Sequence, residues 1–337
     1  LPTIRVDCSC PSFVASATCR PAPYARRMLT GRTDVSQWDL VRVETRGASA
    51  KVWIREPGGP SGVPESDWLF KPVTVHRNGT TQVGDWTEVV ASRISAAVSV
   101  PSAEAQLAVR GGTQGVILRN VRPNGFDMAT GRLAMLDEIH VETRDSRRQQ
   151  TASIGHSLDN VRRTLERYGP PPSAQSWSTC EAFDVFGGYL LLDALIGNGD
   201  RHEQNWSVLR AQSSSNAGAD ALAPAYDMEA SLGFQLADEA RLARLRDPAS
   251  FEAFVRKGFA RRFHGDLQTP LVDLAARAYR MCSIAGRSRI EALIDDIARM
   301  NFAHFVESTN AVSEVARSFA LKVLESNERR IQDAIGN

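Results

Sequence analysis

The stretch that decides the reading of this chain is Gly197-Asn198-Gly199-Asp200-Arg201-His202-Glu203-Gln204-Asn205, followed by Leu222-Ala223-Pro224-Ala225-Tyr226-Asp227. It sets a carboxylate at 200, an amide at 205 and a second carboxylate at 227, all downstream of a long apolar run, Cys180–Ile196. Phosphoryl transfer needs this inventory. One carboxylate orients the accepting hydroxyl, while an amide and a carboxylate hold Mg²⁺ against the ATP phosphates. Each residue alone reads as a turn residue or a helix cap; their joint order and spacing carry the argument. His202 would serve as a base in principle, but holding the loop by hydrogen bonds to backbone is the simpler role. Arg201 suits either charge stabilisation or loop anchoring.

Working outward toward the N-terminus, Leu40–Glu44 and Lys51–Ile54 are short runs with β-branched and aromatic residues that read as strands, Glu56–Ser66 is a Pro/Gly-rich loop, and Trp68–Val73 reads as a strand ended by proline. Glu88–Val98 has the apolar spacing of a helix, with Asp85 or Thr87 as its cap. Gln106–Arg110 and Gly115–Arg119 flank Gly111-Gly112 as a hairpin. Small side chains at Gly47, Ala48 and Ser49 let backbone amides approach phosphates closely, although such a run is also an ordinary turn. Lys71 ends an apolar strand, where a charge needs a partner, and Glu88 is the natural one. The chain has 40 basic residues, of which only Lys51, Lys71, Lys257 and Lys322 are lysines. A lysine at a mechanistically sensible place therefore carries weight.

Toward the C-terminus, Asp159–Tyr168 reads as a helix broken by Gly169-Pro170-Pro171-Pro172, and residues 211–221 read as a polar loop. Helical spacing then recurs at 237–246, 248–258, 270–283, 287–300 and 312–335. The fold class expected is α+β. A poorly ordered leader (1–30) precedes a β-rich lobe (31–122) and a helical lobe (123–337), giving a bilobal enzyme.

Length and charge bound the function. The chain's 337 residues hold two moderate domains, and a formal net charge of +1 gives no electrostatic case for nucleic acid or for an acidic membrane surface. None of the five cysteines forms a C-x₂-C metal pair, so a reduced cytoplasmic protein is expected. No apolar run reaches the ~18–20 residues that span a bilayer.

Gly197–Asn205 followed by Leu222–Asp227 resembles the HipA-like Ser/Thr kinases of bacteria, which are toxins or effectors with a protein-kinase-like bilobal fold related to phosphatidylinositol 3- and 4-kinases. The resemblance extends more loosely through Gly47–Lys51, Trp68–Pro72 and Glu88. It implies that Asp200 is the catalytic Asp, that Asn205 and Asp227 are Mg²⁺ ligands, and that Lys71 is the ATP lysine. It also implies that Leu118 leads into the segment holding adenine, and that the substrate is a protein Ser or Thr. Ser49 departs from the Gln frequent in the family's phosphate loop. Glu44 and Thr45 stand where some members autophosphorylate a serine. The short run before Trp38 leaves little room for the extra N-terminal subdomain of larger relatives, and a HipB-like antitoxin partner stays open. The alternatives are a lipid kinase, which shares Gly-Asp-Arg-His-x-x-Asn, and a nucleotide-binding pseudokinase. No basic or amphipathic membrane-docking stretch supports the first, and the second would not need all four groups retained.

Overall fold

The computed structural model describes residues 31–44, 51–75, 81–143, 154–213, 218–308 and 311–336. The leader 1–30 and the Gly47-Ala48-Ser49 turn lie outside the described residues. Six strands form the first sheet: β1 (Thr33–Asp34), β2 (Asp39–Glu44), β3 (Lys51–Arg55), β4 (Asp67–Pro72), β5 (Ala105–Arg110) and β6 (Thr113–Arg119). Their order across the sheet is β1-β5-β6-β4-β3-β2. The expected hairpin is β5–β6; both turn glycines have positive φ (55° at Gly111, 78° at Gly112), the two-residue turn whose twist matches the strands.

Strand alternation decides what each face of this sheet does. Ile54, Trp68, Phe70, Ala108 and Ile117 share one face with Val35 in a small cluster of their own. Leu107, Val116 and Leu118 join the main core on the other face. That face is covered by helix α1 (Gly84–Ala97), which contributes Trp86, Val89, Val90 and Ile94. Neither expected cap closes α1: the helix begins at Gly84, Asp85 instead pairs with Arg32 at 2.6 Å, and Thr87 bonds the carbonyls of Gly84 and Glu229. Both side chains are drawn sideways into tertiary contacts, which outcompete the local cap.

The second half opens with a sheet that sequence spacing did not foresee. Strands β7 (Phe126–Thr130), β8 (Ser207–Ala211) and β9 (Ala221–Leu222) pair antiparallel in that order, so the polar 211–221 stretch is the connection of a hairpin. Around it lie α2 (Gly131–Ile139), α3 (Leu158–Leu165), α4 (Ala182–Ile196), α5 (Asp238–Arg246), α6 (Pro248–Arg256), α7 (Leu271–Met281), α8 (Ile284–Ala298), α9 (Phe302–Val306) and α10 (Glu314–Ile335). Every residue of α4 is buried, as its continuous apolar sequence requires of a central helix. Gly197, at φ 70°, ends α4 in a left-handed cap and releases the chain into the Asn198–Asn205 loop. No helix among the described residues is long and apolar enough to cross a membrane.

Candidate active site

Lys71 lies on β4 opposite Val116, beneath α1, and is 4% exposed. Gly115 in the same pairing leaves no room for a side chain: a Cβ there would meet the Lys71 carbonyl oxygen at 2.2 Å. Lys71 Nζ donates to Asp227 Oδ1 at 2.6 Å and to Glu229 Oε2 at 2.7 Å, whereas Glu88 Oε2 stands at 4.0 Å. The expected Lys71–Glu88 pair is therefore the longest of three. Glu88 is fixed in the helix, while the 227–229 turn brings two carboxylates to hydrogen-bonding distance. Asp227 adopts φ 61°, a left-handed conformation uncommon for any residue but glycine. Strained non-glycine positions of this kind concentrate at functional sites.

Burial alone would lower the Lys71 pKa, but the carboxylates of Asp227, Glu88 and Glu229 outweigh it and hold the ammonium above its ordinary value. Burial would raise Asp227; Lys71 and, at longer range, Lys51 reverse this and bring it down to about 2. Burial wins at Glu88, which is pushed up to about 7. Among the described residues no hydrogen bond of normal geometry reaches either Glu88 carboxylate oxygen.

The Asn198–Asn205 loop is built on buried bonds. Asn198 Nδ2 donates to Asp193 Oδ1 at 2.8 Å, and its own Oδ1 accepts from the Asp200 amide at 3.1 Å. Arg201 is turned inward. Its Nε and Nη2 grip both carboxylate oxygens of Asp193 at 2.8 Å, and its Nη1 donates to the carbonyls of Asn205 (2.8 Å) and Tyr226 (3.2 Å). One guanidinium thus ties α4, the 200–205 loop and the residue preceding Asp227. His202 has the backbone role expected of it: Nδ1 accepts from the Gln204 amide at 3.1 Å. Asn205 Nδ2 donates to the Asp200 carbonyl at 2.8 Å, which directs the amide nitrogen into the loop and leaves Oδ1 as its acceptor atom.

Asp200 faces the other way. Its Oδ1 accepts from Arg262 Nε at 2.7 Å and Nη2 at 2.5 Å, and both side chains are partly exposed. Sequence reasoning missed Asp193, Glu229 and Arg262. A lone carboxylate in the apolar run Leu190–Ile196 was a usable signal for Asp193, since such a group is rarely buried without a partner. Nothing in the sequence marks Arg262 among so many arginines.

Lys71, Asp227, Asn205 and Asp200 are thus brought together through Arg201 and the 227 turn, with Glu88 at the edge of the group. Leu118 sits in β6 opposite Ala105 and Leu69, 5% exposed in the main core, one residue before the connector to β7 begins. The residues fit a divalent cation in their chemistry. Carboxylate oxygens of Glu88, Asp227 and Glu229 lie within 4.8 Å of one another, all are hard donors, and Glu88 is fully buried with no hydrogen bond of normal geometry among the described residues.

A six-stranded sheet covered by one helix, joined to a helical half that presents this loop, defines a kinase-like fold. The crystal structure of the Helicobacter pylori proinflammatory kinase CtkA has it: TM-score 0.64 at 16% identity, over 90% of this chain and 97% of that one. Weaker likenesses are to HipA in the Shewanella oneidensis MR-1 HipA–HipB toxin–antitoxin complex with operator DNA (TM-score 0.45, 11% identity, 92% of this chain and 67% of that one) and to the golgi casein kinase (TM-score 0.39, 10% identity, 89% and 74%). No curated protein sequence matches the chain. The family model of the HipA-like C-terminal domain matches residues 43–301, and the chain belongs to that family.

Proposed function

We propose that the chain is an ATP- and Mg²⁺-dependent kinase that phosphorylates Ser or Thr hydroxyls of a protein, itself included where a hydroxyl can reach the site. The observation that carries this is the 2.6 Å contact between Lys71 of the first sheet and Asp227 of the second half, with Asp200 and Asn205 on the loop beside it. Phosphoryl transfer is mainly positioning and charge compensation, and these residues supply both. The nucleotide would lie between lobes 31–122 and 123–337, its adenine near the connector after Leu118 and its phosphates under Gly47, Ala48 and Ser49. Lys71 would release part of its contact with the 227–229 turn and neutralise phosphate charge, drawing on Glu88 as counter-ion. Asn205 and Asp227 would hold Mg²⁺, which when bound screens the phosphate oxygens. Asp200 would orient the acceptor hydroxyl for in-line attack and take up its proton.

A toxin or effector role in a bacterial cell rests on family membership alone. The test is transfer of label from γ-labelled ATP and Mg²⁺ by the purified chain, alone, with bacterial lysate and with phosphoinositide vesicles, beside Asp227→Ala. Label in the chain or in a discrete lysate protein, lost in the variant, supports the reading. Label in lipid would replace it with a lipid kinase, and unchanged transfer by Asp227→Ala would remove the site assignment.

A further inference from the structure

Resting on that kinase reading, we propose that Arg262 is the positioning residue of Asp200, holding one carboxylate oxygen so that the other is presented to the acceptor hydroxyl. Both Nε and Nη2 of Arg262 converge on Oδ1 of Asp200, and among the described residues no hydrogen bond reaches Oδ2. The carboxylate therefore cannot rotate freely, and its second oxygen is the one left for chemistry. Other cations of the site do not do this work: Arg201 is committed to Asp193, and Lys71 to Asp227 and Glu229.

The segment carrying Arg262 is built to hold it still. It lies between α6 and α7, where Ala260 N donates to Thr269 O at 2.8 Å and Leu271 N to Gly258 O at 2.8 Å, closing the base of the turn. Phe263 is buried, its ring 4.4 Å from that of His156. His156 is itself fully buried and bonded at both nitrogens. Its Nε2 contacts Trp206 Nε1 at 3.1 Å, and an indole N–H only donates, so Nε2 is the acceptor and Nδ1 carries the proton. Nδ1 then donates to the Arg262 carbonyl at 2.9 Å, while the His264 amide donates to the His156 carbonyl at 2.7 Å. Trp206 directly follows Asn205. The arginine backbone is thereby braced against the same loop that carries Asp200, so base and clamp move as one unit. A guanidinium suits this better than an ammonium because its fork delivers two directed donors to one oxygen.

The experiment compares wild type, Arg262→Ala, Arg262→Lys, Asp200→Ala and the double variant Arg262→Ala/Asp200→Ala. Each is assayed for label transfer from γ-labelled ATP to itself and to dephosphorylated casein, and for affinity toward a fluorescent ATP analogue. Loss of orientation of about 1 Å costs on the order of 10²-fold in rate. Arg262→Ala is accordingly expected to lower kcat by about 10- to 100-fold with KM for ATP and analogue affinity unchanged within about twofold. Arg262→Lys recovers part of the loss, and the double variant is no slower than Asp200→Ala alone. A kcat for Arg262→Ala within about twofold of wild type would overturn the proposal, as would a parallel loss of nucleotide affinity or a double variant that falls further. Failure of the underlying kinase reading looks different: wild type itself would transfer no label, and the positioning role would fall with it.

Discussion

Asp200 and Arg201 are neighbours in sequence, and each belongs to an arginine–aspartate pair, yet the two pairs have opposite surroundings. Arg201–Asp193 is sealed, at 2% and 1% exposure, whereas Arg262–Asp200 is open, at 39% and 34%. Four donated bonds leave the Arg201 guanidinium, two to Asp193 and two to backbone carbonyls, so it fixes three segments to one another. Arg262 holds a single oxygen and leaves the other free among the described residues. One turn of loop sends successive side chains to opposite sides, Arg201 into a sealed pair and Asp200 into an open one, a division that no residue type announces.

Stability effects should follow burial, and that expectation offers the sharpest way to break the comparison. Removing one partner of a buried ion pair costs about 3–5 kcal/mol because the other charge is stranded. Asp193→Ala should therefore lower stability by about that amount in urea unfolding, with Arg201 left unpaired. A cost below about 1 kcal/mol would show that the inner pair is not the anchor.

Next in size is a pH effect at the brace behind the open pair. Burial pushes His156 down to about 4 from an ordinary 6.5. The unfolded chain thus binds this proton more readily than the folded one, so the contribution is complete above pH 6.5 and is lost as pH falls toward 4. The shift corresponds to roughly 3 kcal/mol, and His156→Phe should flatten that part of the stability–pH curve measured by urea melts between pH 4.5 and 7.5. A Cβ on Gly131 would come within 2.0 Å of the Trp206 ring, on which His156 also rests. Gly131→Ala should cost about 1–3 kcal/mol and loosen that brace, seen as a lowered Tm. Smallest of all, Arg262→Ala should change stability by about 1 kcal/mol or less, as expected for an exposed pair, even where turnover falls as proposed.

Much of this molecule was legible in its sequence, for identifiable reasons. Five strands of the first sheet followed from short β-branched and aromatic runs and a glycine turn, and most of the C-terminal helices from apolar spacing, whereas β1, two residues long and paired in parallel with β5 some way along the chain, left no local signal. Lys71 stood out because a lysine ending an apolar strand is conspicuous in a lysine-poor chain. The second sheet was not readable: Phe126–Thr130 is short and half polar, and its partner Ser207–Ala211 lies far along the chain. Its stability comes from tertiary pairing, which local pattern does not encode. Asp85 and Thr87 look like helix caps by type, but Arg32 and the Glu229 carbonyl claim them. Glu229 reads as one more acidic turn residue until the left-handed bend at Asp227 swings it to Lys71. Arg262 reaches Asp200 only because a turn between two helices folds back onto the loop.

The central claim is that Asp200 belongs to the chemistry and Asp193 to the scaffold. The most direct test measures Tm and label transfer from γ-labelled ATP for Asp200→Asn and Asp193→Asn side by side. The account predicts that Asp200→Asn keeps Tm within a few degrees of wild type and loses transfer by about 10²-fold or more, while Asp193→Asn loses Tm markedly. Transfer at the wild-type rate by a folded Asp200→Asn would contradict it.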